Sequence, residues 1–169
     1  MTIVYPGSFD PVTTGHVDIV RRASKFAKHL IVVVLENPNK STLFSVEQRI
    51  LFLKEALANE ATSIEIDSYT GLLAEYAIIK KADVILRGLR TSEDFENENK
   101  YAVSNSAISE SFGNQLETIF IPASRALTFV SSTIIREAAA HIYKNNLNDS
   151  FIAELVPPSA RLALKSSFM

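Results

Sequence analysis

The sequence predicts an α/β fold, with a five-stranded parallel sheet and helices on both of its faces. Short apolar runs alternate with amphipathic helical stretches along all 169 residues, and parallel strands need crossover connections, which helices supply. The chain shows no linker, and 47% of its residues are hydrophobic. Since chains of about 100 to 200 residues commonly form one domain, we expect a single domain over residues 1–169.

The first two strands enclose a long loop and a helix. Thr2-Ile3-Val4-Tyr5 is a short β-type run that ends at Pro6-Gly7, and the aliphatic run from Leu30 to Leu35 ends at Asn37-Pro38. Apolar residues at helical spacing predict the helix between them; they are Val17, Val20, Ala23 and Ala27.

The remaining elements continue the alternation. Ser45-Val46-Glu47-Gln48 is a capping box, which predicts the start of a second helix. An alternating run over 63–67 and two further runs over 84–86 and 118–121 predict three strands. Helices are predicted over 72–80 and 132–141, a long polar helix over about 93–112, and short C-terminal helices within about 150–169, after Ser150 and around Pro158.

Ligands of such sheets bind beyond the carboxyl ends of the strands, where the strand order reverses. The loops that follow the strands are therefore the candidate binding loops. They span residues 6–15, 36–44, 87–92 and 122–131.

The glycine and cysteine counts exclude several kinds of site. The five glycines lie at least eight positions apart, so a dinucleotide-binding G-x-G-x-x-G, a Walker loop and a G-x-S-x-G elbow are all absent. With no cysteine and three scattered histidines, the chain has no ligand set for a zinc ion and no thiol for catalysis. We therefore expect no protein-held metal.

Charge and hydropathy predict a cytoplasmic protein that binds neither nucleic acid nor membranes. The net charge of −2 lacks the basic excess of nucleic-acid and membrane-surface binders. The longest aliphatic run, from Leu30 to Leu35, is far shorter than the roughly 18 residues of a membrane span. The first basic residue is Arg21, so the N-terminus does not resemble a signal peptide.

The loop from Pro6 to His16 carries the strongest indication of chemistry. It runs from a strand end to a helix start, where free backbone amides and the helix dipole favour anions. A histidine and a hydroxyl placed there can bind a phosphate. The alternative is a plain turn, with Asp10-Pro11 as an Asx-turn and His16 on the helix surface.

This loop resembles the T/S-F-D-x-x-T-x-G-H signature of the nucleotidyltransferases related to class I aminoacyl-tRNA synthetases. Its flanks, Y-P-G-S-F-D-P-V-T-T-G-H-V-D-I-V, are similar to those of the bacterial phosphopantetheine adenylyltransferase family. Further motifs of that family follow in order and at its spacing, so the resemblance spans roughly residues 3–160. They are Asn37-Pro38-Asn39-Lys40, Ile85-Leu86-Arg87-Gly88-Leu89-Arg90, Asp94-Phe95-Glu96 and the segment from Phe129 to Glu137.

The resemblance implies the reaction of ATP with 4'-phosphopantetheine to give dephospho-coenzyme A and pyrophosphate, with Mg²⁺ as the cofactor. It also implies a doubly wound sheet and a homohexamer. Because the acceptor is already a phosphate anion, attack on the α-phosphorus needs no general base and no covalent nucleophile. Mg²⁺ is expected on the ATP phosphates, since no paired carboxylates follow a strand.

The family match also assigns roles to the residues of the strand-end loops. His16 would donate to the α-phosphate, Ser8 would contact both substrates, and Lys40 would reach the reacting phosphates. Arg87 would bind the acceptor. The ATP-binding set implied by the match is Ser8, Phe9, His16, Gly88, Leu89, Arg90, Glu98, Leu127, Thr128, Phe129, Val130, Ser131, Ser132 and Thr133.

Some of these residues have simpler interpretations. Lys40 is also typical of a solvated loop, and Glu98 of a solvated acidic helix face. The hydroxyls that precede the helix at 132–141 are also typical of an N-cap. Leu72 and Leu73 match the apolar wall for the pantetheine arm, with Leu73 as the acceptor contact, although leucines at helical spacing usually belong to the core.

The chain departs from the family pattern around the nucleotide. Asn97 replaces an aromatic residue, Thr133 a serine, and Ala126-Leu127 a Glu-Trp pair. These three departures affect nucleotide affinity more than reaction type. Ser8 stands where many relatives have threonine, which keeps the hydroxyl and loses a methyl group.

Two alternatives of different kinds stay open from the sequence. One is another transferase with the same loop, such as a nicotinamide mononucleotide adenylyltransferase or a glycerol-3-phosphate cytidylyltransferase. The other is a non-catalytic nucleotide-binding module on the same sheet.

Overall fold

In the computed structural model, described for residues 1–36, 41–60 and 64–169, five strands form one parallel sheet. They are β1 (Thr2–Gly7), β2 (His29–Glu36), β3 (Ile64–Thr70), β4 (Val84–Leu89) and β5 (Glu117–Pro122). Their order across the sheet is β3-β2-β1-β4-β5, so the direction of winding reverses between β1 and β4. The predicted doubly wound parallel sheet is confirmed.

Seven α-helices occur in the described part of the chain. They are α1 (Thr14–Ala23), α2 (Val46–Ala56), α3 (Leu73–Ile79), α4 (Ser92–Ser111), α5 (Ser132–Lys144), α6 (Ser150–Leu155) and α7 (Pro158–Phe168). The predicted alternation is confirmed, but α7 has 11 residues and is not short. A 3₁₀ turn at Arg125–Leu127 was not predicted. None of the described helices combines the length and apolarity needed to cross a membrane.

Alternate residues of the buried strands pack on opposite faces of the sheet, as the strand period of two requires. In β1, Ile3 and Tyr5 belong to a large core together with residues of α1, α2, α5, α6 and α7. Val4 faces the other side and packs with Tyr76 of α3. Because helices cover both faces, the central strands are apolar throughout and appear as continuous hydrophobic runs in the sequence.

The second helix starts as the capping box predicts. The Ser45 Oγ accepts from the Gln48 N–H at 3.3 Å, and the Gln48 Oε1 accepts from the Ser45 N–H at 3.0 Å. These two bonds satisfy amides that the first helical turn leaves free. The predicted start of the third strand at Ser63 lies outside the described residues.

The C-terminal helices pack on the main core. Ile152 of α6 and both Ala160 and Leu164 of α7 are fully buried, and they share one apolar cluster with residues of α1 and α5. The C-terminal segment therefore closes the face of the sheet that α1, α2 and α5 cover.

Candidate active site

A cavity of about 300 Å³ lies at the carboxyl ends of β1 and β4, where the winding of the sheet reverses. Three of the four predicted loops contribute to its walls: the loop after β1, the end of β4, and the segment between β5 and α5. Of the predicted site residues, the following line it: Ser8, His16, Arg87, Gly88, Leu89, Arg90, Glu98, Leu127, Val130, Ser131, Ser132 and Thr133.

The loop after β1 is built around Phe9, which is only 1% exposed. Its ring meets Tyr5 and His16 edge to face, with ring centroids 5.6 and 5.1 Å apart. A Cβ at Gly7 would lie 2.8 Å from the Phe9 Cζ, so only glycine fits beside this ring. Phe9 therefore packs beneath the cavity and supports the His16 imidazole from below.

His16 is held by the N-terminus of its own helix. The Thr13 N–H donates to the His16 Nδ1 at 3.0 Å, and the Thr13 Oγ1 lies 3.0 Å from the same nitrogen. His16 thus occupies the position that Glu or Gln takes in a capping box. Because Nδ1 is an acceptor, the proton of the neutral imidazole resides on Nε2.

The surroundings of His16 keep the imidazole uncharged. Burial lowers its pKa from 6.5 to about 4, and the positive charges of Arg90 and Arg87 contribute to the shift in the same direction. At neutral pH the side chain is therefore a neutral donor through Nε2–H. The predicted alternative, a histidine on the helix surface, does not fit this geometry.

Arg87 extends from the end of β4 toward α4. Its Nε and Nη2 donate to Glu98 at 2.5 and 2.7 Å, and its Nη1 donates to the Pro6 carbonyl at 2.9 Å. The guanidinium therefore bridges the loop after β1 and helix α4. The two residues that the resemblance assigns to different substrates contact each other.

Arg90 is braced in a similar way. Its Nε and Nη2 donate to the two carboxylate oxygens of Asp94 at 2.9 and 3.1 Å, and its backbone N–H donates to the same carboxylate at 3.2 Å. Asp94 lies in the first turn of α4. These hydrogen bonds hold the side chain of Arg90, which lines the cavity, against the start of α4.

The hydroxyls at the start of α5 all have partners within the protein. Ser131 is the N-cap, and its Oγ accepts from the Ile134 N–H at 3.1 Å. Ser132 donates to the Pro11 carbonyl at 2.8 Å, and the Thr133 Oγ1 lies 3.4 Å from the Arg136 Nη2. The N-cap interpretation is confirmed for Ser131, while Ser132 joins α5 to the loop after β1.

Four other predicted residues are placed away from the cavity walls. Phe9 lies in the core, and Leu73 packs into the apolar clusters beneath α3. The Thr128 hydroxyl donates to the Arg125 carbonyl at 3.2 Å. Phe129 is 53% exposed and stacks on Phe151. Lys40 lies outside the described residues.

Comparison with known proteins identifies the family. A model described as cytidylyltransferase-like matches residues 4–138. The chain is 46% identical to a phosphopantetheine adenylyltransferase of Alkaliphilus oremlandii, over 80% of this chain and 83% of the relative. It is 41% identical to one of Nostoc punctiforme, over 96% of this chain and 82% of the relative. The chain belongs to the phosphopantetheine adenylyltransferase family.

A solved structure extends the comparison to the fold. Plasmodium falciparum nicotinic acid mononucleotide adenylyltransferase superposes with a TM-score of 0.66 at 16% identity, covering 98% of this chain and 94% of the other. At that identity the likeness concerns the fold alone. Because the relatives of 41 and 46% identity are phosphopantetheine adenylyltransferases, the comparisons do not favour the other transferases or a non-catalytic module.

In this member of the phosphopantetheine adenylyltransferase family, sequence reasoning missed the residues that hold the loop after β1. Asp10 is 3% exposed and accepts from the Leu43 and Phe44 N–H groups at 2.9 and 3.0 Å. Arg136 of α5 donates to the Asp10 carbonyl. The Asp10 carboxylate thus joins two of the candidate binding loops. Its hydrogen bonds reach Leu43 and Phe44, far along the chain, and not the local amides of an Asx-turn.

Arg49 of α2 is the second missed residue. It is 3% exposed and donates to the Ser8 carbonyl at 2.9 Å and to the Ser45 carbonyl at 3.3 Å. The sequence contains a signal for this residue, because position 49 falls three residues after the apolar Val46 and four before the apolar Leu53, and this spacing places all three on one face of the helix. A charged residue on a buried helix face needs a specific partner, and here that partner is the loop that carries Ser8.

Tyr5 and Thr13 also line the cavity without having been predicted. Burial raises the pKa of the Tyr5 hydroxyl, so it stays protonated at neutral pH. In the described residues, no group of three or more His, Asp or Glu side chains is placed to hold a metal ion. Glu98 is the one carboxylate among the described residues that line the cavity.

Proposed function

We propose that the protein transfers the adenylyl group of ATP to 4'-phosphopantetheine, producing dephospho-coenzyme A and pyrophosphate. One observation carries the proposal beyond family membership. A neutral histidine with its Nε2–H available lies in a cavity walled by Arg87 and Arg90. Such a set of donors suits phosphates on which charge builds during reaction, and it needs no acid or base to cycle.

In the proposed reaction, an oxygen of the acceptor phosphate attacks the α-phosphorus of ATP in line with the leaving pyrophosphate. One P–O bond forms, and the bond to the bridging oxygen of the pyrophosphate breaks. No proton has to be removed, since the acceptor is already an anion. His16 would donate from Nε2 to an α-phosphate oxygen, whose negative charge rises in the transition state.

The other cavity residues would hold the two substrates in this arrangement. Arg87 and Ser8 would bind the acceptor phosphate, and the Gly88-Leu89-Arg90 segment would bind ATP together with the start of α5. The free amides at the N-terminus of α5 suit an anion. Lys40 remains a proposed ligand of the reacting phosphates, and Leu73 a proposed wall of the pantetheine site.

Mg²⁺ is proposed to arrive on the ATP phosphates. The donor set of the described cavity fits this arrangement, because its one carboxylate, Glu98, is engaged by Arg87. Mg²⁺ commonly keeps several waters and binds through phosphate oxygens. When bound, the ion would offset the negative charge of the leaving pyrophosphate.

Pyrophosphate release tests the proposed reaction. The protein is incubated with ATP, Mg²⁺ and one acceptor at a time: 4'-phosphopantetheine or nicotinamide mononucleotide. A parallel reaction contains CTP and glycerol 3-phosphate. We expect release with 4'-phosphopantetheine alone. Release only in one of the other reactions would replace the proposed substrate, and ATP binding without any turnover would support a non-catalytic module.

We also propose a homohexamer in the cytoplasm. The assembly is the one that the family resemblance implies, and α4 exposes the large apolar side chains of Tyr101 and Val103, which are 64 and 63% exposed. The absence of cysteine suits a reducing compartment. Light scattering during gel filtration tests the assembly: a mass six times that of one chain is expected, and the mass of a monomer would contradict it.

A further inference from the structure

Tyr5 is a buried tyrosine whose hydroxyl forms no hydrogen bond with any described residue. Its side chain is only 5% exposed. Three other tyrosines, Tyr69, Tyr76 and Tyr143, each donate to a carboxylate, at 2.8, 2.8 and 3.1 Å. The remaining one, Tyr101, is 64% exposed and can donate to water. Because buried polar groups are generally hydrogen-bonded, the unpaired hydroxyl of Tyr5 points to a ligand.

The hydroxyl of Tyr5 is open to the cavity. Tyr5 is one of the residues that line this cavity. Among the described residues, the unpaired side-chain oxygens that are sealed from solvent are Thr14 Oγ1 and Thr118 Oγ1, and Tyr5 Oη is not one of them. A Cβ at Gly88 would lie 3.7 Å from Tyr5 Oη, which places this oxygen beside the end of β4. A molecule in the cavity can therefore reach it.

The direction of the hydroxyl is fixed by the packing of its ring. Tyr5 lies on the central strand β1 and belongs to the large apolar cluster. The Phe9 ring meets it edge to face, with ring centroids 5.6 Å apart. A donor that is held in place before a ligand arrives loses little conformational freedom on binding. Tyr5 thus offers a preorganised hydrogen bond.

The charges around Tyr5 favour a negatively charged partner. Burial raises the pKa of the hydroxyl more than the positive charge of Arg87 lowers it, so the hydroxyl keeps its proton at neutral pH and can donate. Arg87 is the charged group that acts on it most strongly, followed by Glu98 and Arg90. A hydroxyl donor beside a guanidinium suits a phosphate oxygen, which can accept from both.

We propose that the Tyr5 hydroxyl donates a hydrogen bond to the acceptor phosphate, beside Arg87. The inference rests on the proposed function, in which Arg87 and Ser8 bind that phosphate. The contact makes or breaks no covalent bond, and the proton stays on the phenol oxygen. Tyr5 is then a binding residue that helps to select an acceptor with a phosphate, because an acceptor without one would leave the hydroxyl unpaired.

The test compares the full-length protein with two variants that each remove one buried hydroxyl. Tyr5→Phe keeps the aromatic ring and its apolar contacts. Tyr143→Phe is the matched control, because Tyr143 is also 5% exposed and lies in the same apolar cluster. The Tyr143 hydroxyl differs in that it donates to Asp149, and the residue does not line the described cavity.

Binding, kinetics and stability are measured for each protein. Calorimetry gives the Kd for phosphopantetheine, for pantetheine, which lacks the phosphate, and for ATP, in separate titrations. Pyrophosphate release gives KM and kcat. For Tyr5→Phe we expect the Kd and KM for phosphopantetheine to rise about tenfold, the scale for losing one hydrogen bond to a charged group. The Kd for pantetheine and the Kd for ATP should each change less than about twofold.

The two variants should behave in opposite ways. In urea denaturation without ligands, Tyr5→Phe should keep the wild-type free energy of unfolding, since its hydroxyl has no described partner to lose. Tyr143→Phe should lower the free energy of unfolding, because the variant loses the bond to Asp149. Its binding and kinetic constants should equal those of the wild type.

Several outcomes would overturn the inference. An unchanged Kd for phosphopantetheine in Tyr5→Phe would show that the hydroxyl does not bind the phosphate. An equal rise for pantetheine would move the contact away from the phosphate, and an equal rise for ATP would remove the assignment to the acceptor. A loss of stability in Tyr5→Phe as large as in Tyr143→Phe would make the hydroxyl structural.

Failure of the proposed function would be visible separately in the wild type. If the wild type binds phosphopantetheine but releases no pyrophosphate, the proposed function fails, and the binding constants still decide the role of Tyr5. If the wild type does not bind phosphopantetheine, the inference fails together with the acceptor assignment.

Discussion

At the scale of single residues, the chemistry of the cavity depends on which atoms are already engaged. The imidazole of His16 accepts at Nδ1 from the Thr13 N–H, which leaves Nε2–H as its one donor. Burial, together with the nearby arginines, lowers the pKa of the ring and keeps it neutral. A neutral donor can stabilise charge on a phosphate without exchanging protons with water, which agrees with a reaction that has no proton to move.

Replacing His16 with alanine should lower kcat by on the order of 10²- to 10³-fold, the loss typical of one transition-state donor. The Kd for ATP should change only modestly, because the interaction strengthens as the transition state forms. Steady-state kinetics and calorimetry with ATP measure the two quantities. An unchanged kcat with weaker ATP binding would instead make His16 a ground-state ligand.

The lowered pKa of His16 also predicts a dependence of stability on pH. The folded-state pKa of about 4 lies below the ordinary value of 6.5, so the unfolded chain binds the proton more readily. The free energy of unfolding should therefore fall as the pH drops from 6.5 toward 4, and this contribution is intact above 6.5.

Urea denaturation of the wild type and His16→Gln at pH 7 and about pH 5 measures this contribution. Glutamine can accept from the Thr13 N–H and does not titrate. The wild type should lose more stability than the variant between the two pH values. Equal losses would show that His16 is not the titrating group.

At the scale of elements, the sequence predicted the strands, the helices and their order, because most strands are short apolar runs, the third strand alternates apolar and polar residues, and several helices show apolar residues at helical spacing. It did not predict the contacts between loops. The hydrogen bonds of Asp10 reach residues 33 and 34 positions away in the chain, and no local pattern encodes such partners. The pairing of Arg87 with Glu98 could not be predicted for the same reason. Which residue of α4 meets Arg87 depends on how α4 packs against β4.

Asp10 should matter more for stability than its place in a loop suggests. Asp10→Ala would leave the Leu43 and Phe44 amides without their acceptor, next to the Arg136 guanidinium. We expect a loss of about 3 kcal/mol in the free energy of unfolding, the scale for removing one partner of a buried polar network. Asp10→Asn, which keeps one accepting oxygen, should lose less.

Urea denaturation measures the effect, with exposed Glu96→Ala as the control. Activity should fall further in Asp10→Ala than in Asp10→Asn, as stability does, because the carboxylate also joins the loop after β1 to the loop after β2. If Asp10→Ala had the same free energy of unfolding as the wild type, water would replace the carboxylate at no cost.

At the scale of the whole molecule, one apolar core connects the loop beneath the cavity to the C-terminus. The cluster that contains Tyr5 and Phe9 also contains Ile152 of α6 and Leu164 of α7. The 3.6-residue pattern of the sequence indicated helices at the C-terminus but not how much of them is buried. Continuity of this core predicts that the chain unfolds as one unit.

A pair of leucines in α7 tests that continuity. Leu164 is fully buried, whereas Leu162 is 66% exposed, so the two substitutions share a helix and a chemistry and differ in burial. Leu164→Ala should lower the free energy of unfolding by about 3 kcal/mol, and Leu162→Ala should change it by less than about 0.5 kcal/mol. Urea denaturation should show a single transition in both variants, with pyrophosphate release lost over the same urea range as helical structure. A second transition in Leu164→Ala, at which α7 unfolds while activity persists, would mean that the C-terminal helices form a separate unit, and the single domain over residues 1–169 would then be wrong.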